Sequence, residues 1–294
     1  MELDVKTGTP TTIGGLTLYP LYRSGEPAGT YLPGPLAADQ QAMTVSELDE
    51  GAQVPMLQLT NTADVPVLLV EGEMLVGAKQ NRTLNLSVLA PAAATIQVPV
   101  SCVEAGRWGR PRASRRSAQF ANLELRRAKT ASTIRHQRIG AGKRSDQGEV
   151  WAHVDRALAA RQVASPTSAL EDAFAAPDPT ARAPLARPEP DQVGVVAVIE
   201  GRPAAIDLFD KPQTLQAYWD SIVAGYRFDA GDDASAPGDP GLVDAFLEAL
   251  ARADERSVES TGLGEETHFE SNDIVGAALR WDDAIVHLSA YAPA

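Results

Sequence analysis

The sequence predicts an α+β fold: an N-terminal antiparallel β-sandwich or curled barrel, central helices, and a C-terminal mixed β/α part. Three observations predict it. Short runs of β-formers separated by turn residues fill the first hundred positions. A basic stretch and then a capped stretch with helical character follow. After a Pro-rich connection, strand-like runs alternate with two helix starts. At 294 residues, 44% hydrophobic and 22% charged, the chain has ordinary globular composition and can bury a sizeable core.

Residues 16–20, 56–60, 65–70, 83–89 and 95–102 read as strands. Leu84, Leu86 and Val88 alternate with Asn85 and Ser87, the period of a half-buried strand. Residues 61–64 (Asn-Thr-Ala-Asp) suit a hairpin loop. From about Ser114 the pattern turns helical, and 120–138 reads as a basic helix. Asp146 with Glu149 three residues on has capping-box spacing and opens a helix through Trp151, Val154 and Leu158. Five prolines between 177 and 190 mark a surface connection. The expected organisation is therefore 1–176, a 177–191 connection and 192–294, the halves packed as one unit. Residues 193–199 and 204–208 flank Glu200-Gly201-Arg202-Pro203 as a second hairpin. Asp210 with Pro212 starts a helix that should stop at Gly225. Asp239-Pro240 starts another, with Leu242, Phe246 and Leu250 on one face. Strands at 265–270, 274–280 and 284–291 follow, residues 281–283 turning between the last two.

Composition narrows the function classes. The first residues lack the basic and apolar regions of a signal peptide, and runs such as 65–70 and 193–199 are too short to span a bilayer. The single cysteine, Cys102, cannot form an intrachain disulfide. These features point to a cytoplasmic protein without a membrane partner. A net charge of −13 argues against general affinity for nucleic acid. The charge is uneven: 105–145 holds twelve basic residues against Glu124, whereas 229–273 holds thirteen acids against Arg252 and Arg256. Such blocks can face each other within one fold or across a homo-oligomer. Nucleic-acid binding through the basic stretch is the weaker reading.

Three clusters carry residue types suited to chemistry. Residues 71–82 (Glu-Gly-Glu-Met-Leu-Val-Gly-Ala-Lys-Gln-Asn-Arg) place Lys79, Gln80, Asn81 and Arg82 in succession after Gly77, where an edge strand would alternate. That pattern reads as a loop bringing amide donors and a guanidinium fork to a carboxylate or phosphate. A solvated turn with Arg82 in a structural salt bridge is the competing reading. In residues 102–108, Glu104 and Arg107 form an ion pair or serve as general base and anion clamp, and Trp108 offers a stacking surface. Cys102 reads as an inert buried thiol more readily than as a nucleophile. In residues 147–151, Gln147 and Trp151 join the ligand-binding candidates. Glu149 is a candidate acid/base that already has a capping role.

Other signals fail. Residues 140–145 lack the spacing of a phosphate loop, and no strand precedes them. His136, His153, His268 and His287 have no metal-ligand spacing, so no metal site is expected. Residues 229–233 miss the calcium-loop pattern, and there is no Gly-x-Ser-x-Gly elbow. No cofactor is indicated.

Gly72-Glu73, residues 77–82, residues 98–108 (Val-Pro-Val-Ser-Cys-Val-Glu-Ala-Gly-Arg-Trp) and residues 147–151 resemble the ADP-ribosylglycohydrolase- and rhodanese-phosphatase-associated protein domain family. Residues 206–209 (Ile-Asp-Leu-Phe), with Trp219 and Tyr226, fit its C-terminal part. The likeness covers most of the chain outside the Pro-rich connection. The family's name comes from gene association with ADP-ribose and phosphate chemistry, and the carboxylates, arginines and amides at strand ends make a nucleotide-like or ADP-ribose-like phosphorylated small molecule the expected ligand. Two functions follow as expectations. In the first, an enzyme uses Glu73, Glu104 and Glu149 as acid/base groups while Lys79, Gln80, Asn81, Arg82, Arg107, Trp108, Gln147 and Trp151 hold the ligand. In the second, a non-catalytic binding or assembly protein uses the same residues as a structural polar network.

Overall fold

The computed structural model describes residues 3–48, 55–108, 112–176, 187–231 and 238–293. The chain divides into two compact units that do not follow its order. The first comprises Met1–Gly29, Asp178–Glu259 and Gly264–Ala294; the second comprises Thr30–Pro177 and Ser260–Leu263. The expected halves kept residues 1–29 with residues 30–176. The finding is that β1 (Val5–Thr7) and β2 (Thr11–Ile13) pair with β3 (Leu16–Arg23), and β3 pairs in turn with a strand that begins at Gly194.

The second unit begins with β4 (Leu32–Pro33), α1 (Gly34–Asp39) and β5 (Met43–Ser46). It continues through β6 (Met56–Asn61), β7 (Val67–Leu69), β8 (Glu73–Ala78), β9 (Arg82–Leu84), β10 (Val88–Ala90), β11 (Ala94–Cys102) and β12 (Arg112–Phe120). Six of these form a sheet in the order β12-β8-β9-β11-β6-β5, and β10-β7-β4 form a second sheet. The edge strands β5 and β12 line one hollow through Val45 and Arg116, so the larger sheet curls into a nearly closed barrel. Leu57, Leu59, Leu75, Leu84, Val98 and Val100 fill its core.

Three expectations change here. The single strand at 83–89 is two, broken where Asn85 turns inward to accept from Ser101 Oγ (2.6 Å) and donate to the Lys143 carbonyl (3.0 Å). Residues 61–64 are no hairpin, because β6 and β7 belong to different sheets. Asn61 instead clasps its own turn, accepting from the Ala63 N–H at 2.9 Å. The segment from Ser114 is not helical until α2 (Leu123–Arg138), since β12 pairs with β8. Arginines and serines on β12 hid a strand that sits at the sheet edge. Then α3 (Gln147–Ala160) is capped as its sequence indicates, the Asp146 carboxylate accepting from the N–H groups of Gly148 and Glu149. The capping box is not reciprocal, because the Asp146 N–H donates to Ser132 Oγ at 2.7 Å. A short α4 (Leu170–Ala175) closes this unit's helices. Most of the Pro-rich connection, 177–186, lies outside the described residues.

The first unit resumes with β13 (Gly194–Ile199) and β14 (Arg202–Phe209), a hairpin whose turn residues Glu200 and Gly201 take the positive φ of a tight two-residue loop. Next come α5 (Pro212–Asp229), α6 (Pro240–Arg252), β15 (Asp254–Glu259), β16 (Glu265–Glu270), β17 (Val275–Trp281) and β18 (Ala284–Tyr291). The sheet runs β1-β3-β13-β14-β18-β17-β16-β15, with β2 also on β3. Alternation along β14 assigns its two faces. Ile206 and Leu208 join Val243, Phe246 and Leu250 of α6, while Phe209 stacks on Tyr218 of α5 and Asp207 accepts from the Tyr226 hydroxyl. Gly225 does not stop α5. Helical φ/ψ is open to glycine, and Tyr226 beyond it is held by Asp207. Asp210 does not cap α5; its carboxylate accepts from the Ala28 N–H at 3.0 Å. On α6 the buried face is Val243, Phe246 and Leu250, and Leu242 is exposed.

Candidate functional site

Three glutamates of the second unit sit at or near strand ends with almost no exposure, and burial of a lone carboxylate is prohibitive. Each is neutralised differently. Glu71 accepts from Lys129 Nζ and from Arg126 Nε (3.1 Å), both on the inward face of α2. Glu73 accepts from Arg116 Nε of β12 and from the Val70 N–H at 2.6 Å. Glu104 accepts from Arg107 Nε (2.7 Å) and Thr167 Oγ1 (2.9 Å) on one oxygen. Its other oxygen accepts from Arg107 Nη2 (2.7 Å) and the Asn81 N–H (2.8 Å). Burial by itself would raise the Glu104 pKa, but these hydrogen bonds and the Arg107 charge outweigh it and hold the carboxyl below its ordinary value.

Arg107 is equally committed. Beyond Glu104 it donates to the carbonyls of Ala78 and Gly77, both at 3.0 Å, and to Asn81 Oδ1 at 3.1 Å. These contacts hold the β8–β9 connection, which reaches in rather than standing open. Gln80 and Asn81 are buried, Gln80 donating to the Glu104 carbonyl at 2.8 Å. Asn81, Glu104 and Arg107 line a hollow of about 360 Å³ together with Arg115, Thr167 and Asp172.

Arg82 does not line that hollow. Its side chain is 0% exposed. Nη1 donates to Gln80 Oε1 at 3.3 Å, and no carboxylate among the described residues pairs with it. Cys102 stands directly opposite on β11. Burial pushes that thiol's pKa up, the Arg82 charge opposing the shift, and the thiol donates to the Glu104 carbonyl at 3.1 Å. Gln147 grips the Cys102 backbone from α3, its Oε1 accepting at 2.9 Å and its Nε2 donating at 2.8 Å.

The structure thus joins Gln80, Asn81, Glu104 and Arg107 on one side, and Arg82, Cys102, Gln147 and Trp151 on the other. The candidates do not converge on one hollow. Glu73 belongs to the Arg116 pair. Glu149 is half-buried and pairs with Arg135 at 3.2 Å. Trp108 is 52% exposed, with Lys79 Nζ 5.2 Å from its ring centroid. The cations Arg116, Arg126 and Lys129, and Thr167, escaped the sequence reading. Their signal was indirect: Glu71 and Glu73 follow an apolar run, and a buried acid demands a cation from elsewhere. The basic helix without an apolar stripe was where to look. Among the described residues no group of His, Cys, Asp or Glu gathers as metal ligands, and no helix is long and apolar enough to cross a membrane.

One family model, described as the ARG and Rhodanese-Phosphatase-superfamily-associated Protein domain, matches residues 4–291. No curated protein and no solved structure matches the sequence.

Proposed function

Because the chain belongs to the ARG and Rhodanese-Phosphatase-superfamily-associated Protein domain family, we propose that its second unit binds a nucleotide-like or ADP-ribose-like phosphorylated ligand, its buried carboxylates serving as frame rather than as acid/base catalysts. The observation that carries this reading is the saturation of Glu104. A carboxylate offers about four acceptor positions, and Arg107, Asn81 and Thr167 supply four hydrogen bonds. A general base needs a free lone pair facing its proton, and a general acid needs a raised pKa. Glu104 has neither, its pKa being held low. The hollow beside it mixes acids with arginines and a threonine hydroxyl, a lining that suits the hydroxyl-rich ribose portion of such a ligand.

The test is a thermal-shift screen with ADP-ribose, NAD, nucleotides and phosphosugars, combined with product analysis. A stabilising ligand left chemically intact is the expected result, and a ligand at a hundredfold its Kd adds about 2.7 kcal/mol of stability. Arg115→Ala, at an exposed position on the hollow's rim, should weaken binding without unfolding the chain. Turnover that vanishes in Glu104→Gln or Glu73→Gln would restore the enzyme reading, and a screen with no stabilising compound would end this one.

A further inference from the structure

We propose that Arg82 forms the floor of a second, buried subsite, one that takes a phosphoryl oxyanion side-on through Nε and Nη2. Both atoms are buried and have no hydrogen-bond partner among the described residues. They form one edge of the guanidinium fork, the edge that meets two oxygens of an anion side by side. The same unit shows that edge in use: Arg107 presents Nε and Nη2 to Glu104, both at 2.7 Å. Arg82 keeps its edge empty while Nη1 is held by Gln80.

Charge makes the same demand. Glu71, Glu73 and Glu104 are each spoken for by other cations. A guanidinium buried without a counter-anion is strongly penalised, so an anion is the partner that balances it. The Cys102 thiol across the strand pair does not supply the charge, since burial favours its neutral form. Beyond the thiol, whose proton goes to the Glu104 carbonyl, stands Trp151, 37% exposed. It lies one turn beyond Gln147, on the same face of α3 that grips Cys102. With Arg82 wholly buried, the proposed occupant is a small group, either free phosphate or the terminal phosphate of a larger ligand. The latter case rests on the ligand-binding reading above.

The test follows thermal unfolding of the full chain in potassium phosphate against potassium chloride at equal ionic strength. Phosphate should raise the midpoint progressively to saturation, and chloride should not. Arg82→Met, which removes the unbalanced charge, should fold and lose the phosphate response. Arg82→Lys, which keeps charge but not the two-pronged edge, should bind phosphate at least about tenfold more weakly. Equal responses in the variants, or none in the wild type, overturn the subsite. Should neither variant fold, native mass spectrometry of the wild type decides: a retained phosphate adduct supports the proposal, and a bare chain after exposure to phosphate overturns it. Adenosine, phosphate and ADP, whose outer phosphate is terminal, run side by side separate the sources. Phosphate binding with ADP silent keeps the subsite and removes the larger ligand. ADP binding alike in wild type and Arg82→Met, with phosphate silent, removes the subsite and keeps the larger ligand.

Discussion

Lys129 and Arg126 share one carboxylate, Glu71, with all three side chains almost wholly out of water. Removing the acid leaves two buried cations facing each other's field, whereas removing an exposed charge changes little. Glu71→Gln is therefore expected to cost about 3–5 kcal/mol in urea unfolding, and Glu149→Ala, which loses only a solvent-accessible pair with Arg135, less than about 1 kcal/mol. Equal costs would contradict the assignment. Glu104 gives a pH signature. Its folded pKa lies below the ordinary 4.5 of an unfolded glutamate. The folded state therefore favours the ionised form, and its contribution is complete above 4.5 and lost as pH falls through the lower folded value. Acid titration of stability should fall less steeply below 4.5 in Glu104→Gln than in wild type.

At the scale of elements, close approach of β8 to β12 depends on Gly77. Its φ is +116°, and a Cβ there would stand 2.3 Å from the Ala113 carbonyl oxygen. The Gly77 carbonyl also receives Arg107 Nη2. Gly77→Ala should destabilise the unit by at least about 1–3 kcal/mol and loosen the Arg107 clamp with it, visible as faster amide exchange in β8. Asp146→Ala should cost α3 only about 1 kcal/mol, the worth of a cap. Elements whose signals are local were legible in the sequence. The cap of α3, the β13–β14 turn and the turn-bounded runs of β6 and β11 each follow from a few adjacent residues. Elements decided by distant partners were not. β12 is a strand because β8 offers it an edge, and its Arg115 and Arg116 are placed by Glu171 and Glu73. The site divides the same way. Glu104 and Arg107 pair within four residues of sequence and were readable, but nothing near Arg82 announced that its cross-strand neighbour would be an uncharged thiol.

At the scale of the whole molecule, four cations of the basic stretch, Arg115, Arg116, Arg126 and Lys129, find Glu71, Glu73 and Glu171 within their own unit. The first unit, by contrast, is assembled from distant pieces of chain. β3 is an interior strand, bonded to β1 and β2 on one side and to β13 on the other. Deleting residues 1–24 removes all three strands, bares the full edge of β13 and takes Tyr19 and Leu21 from the apolar cluster that α6 covers. An exposed apolar edge of that length does not persist in water. Cys102, the only cysteine, lies in the other unit and is fully buried, so its thiol reports on that unit alone. The deletion variant is expected to lose amide protection throughout β13, β14 and β18 while Cys102 stays unreactive toward a thiol reagent under native conditions. Rapid labelling of Cys102 in that variant would show that the second unit cannot stand without the first. Retained protection in β13 would show that the N-terminal strands are dispensable to the sheet they join.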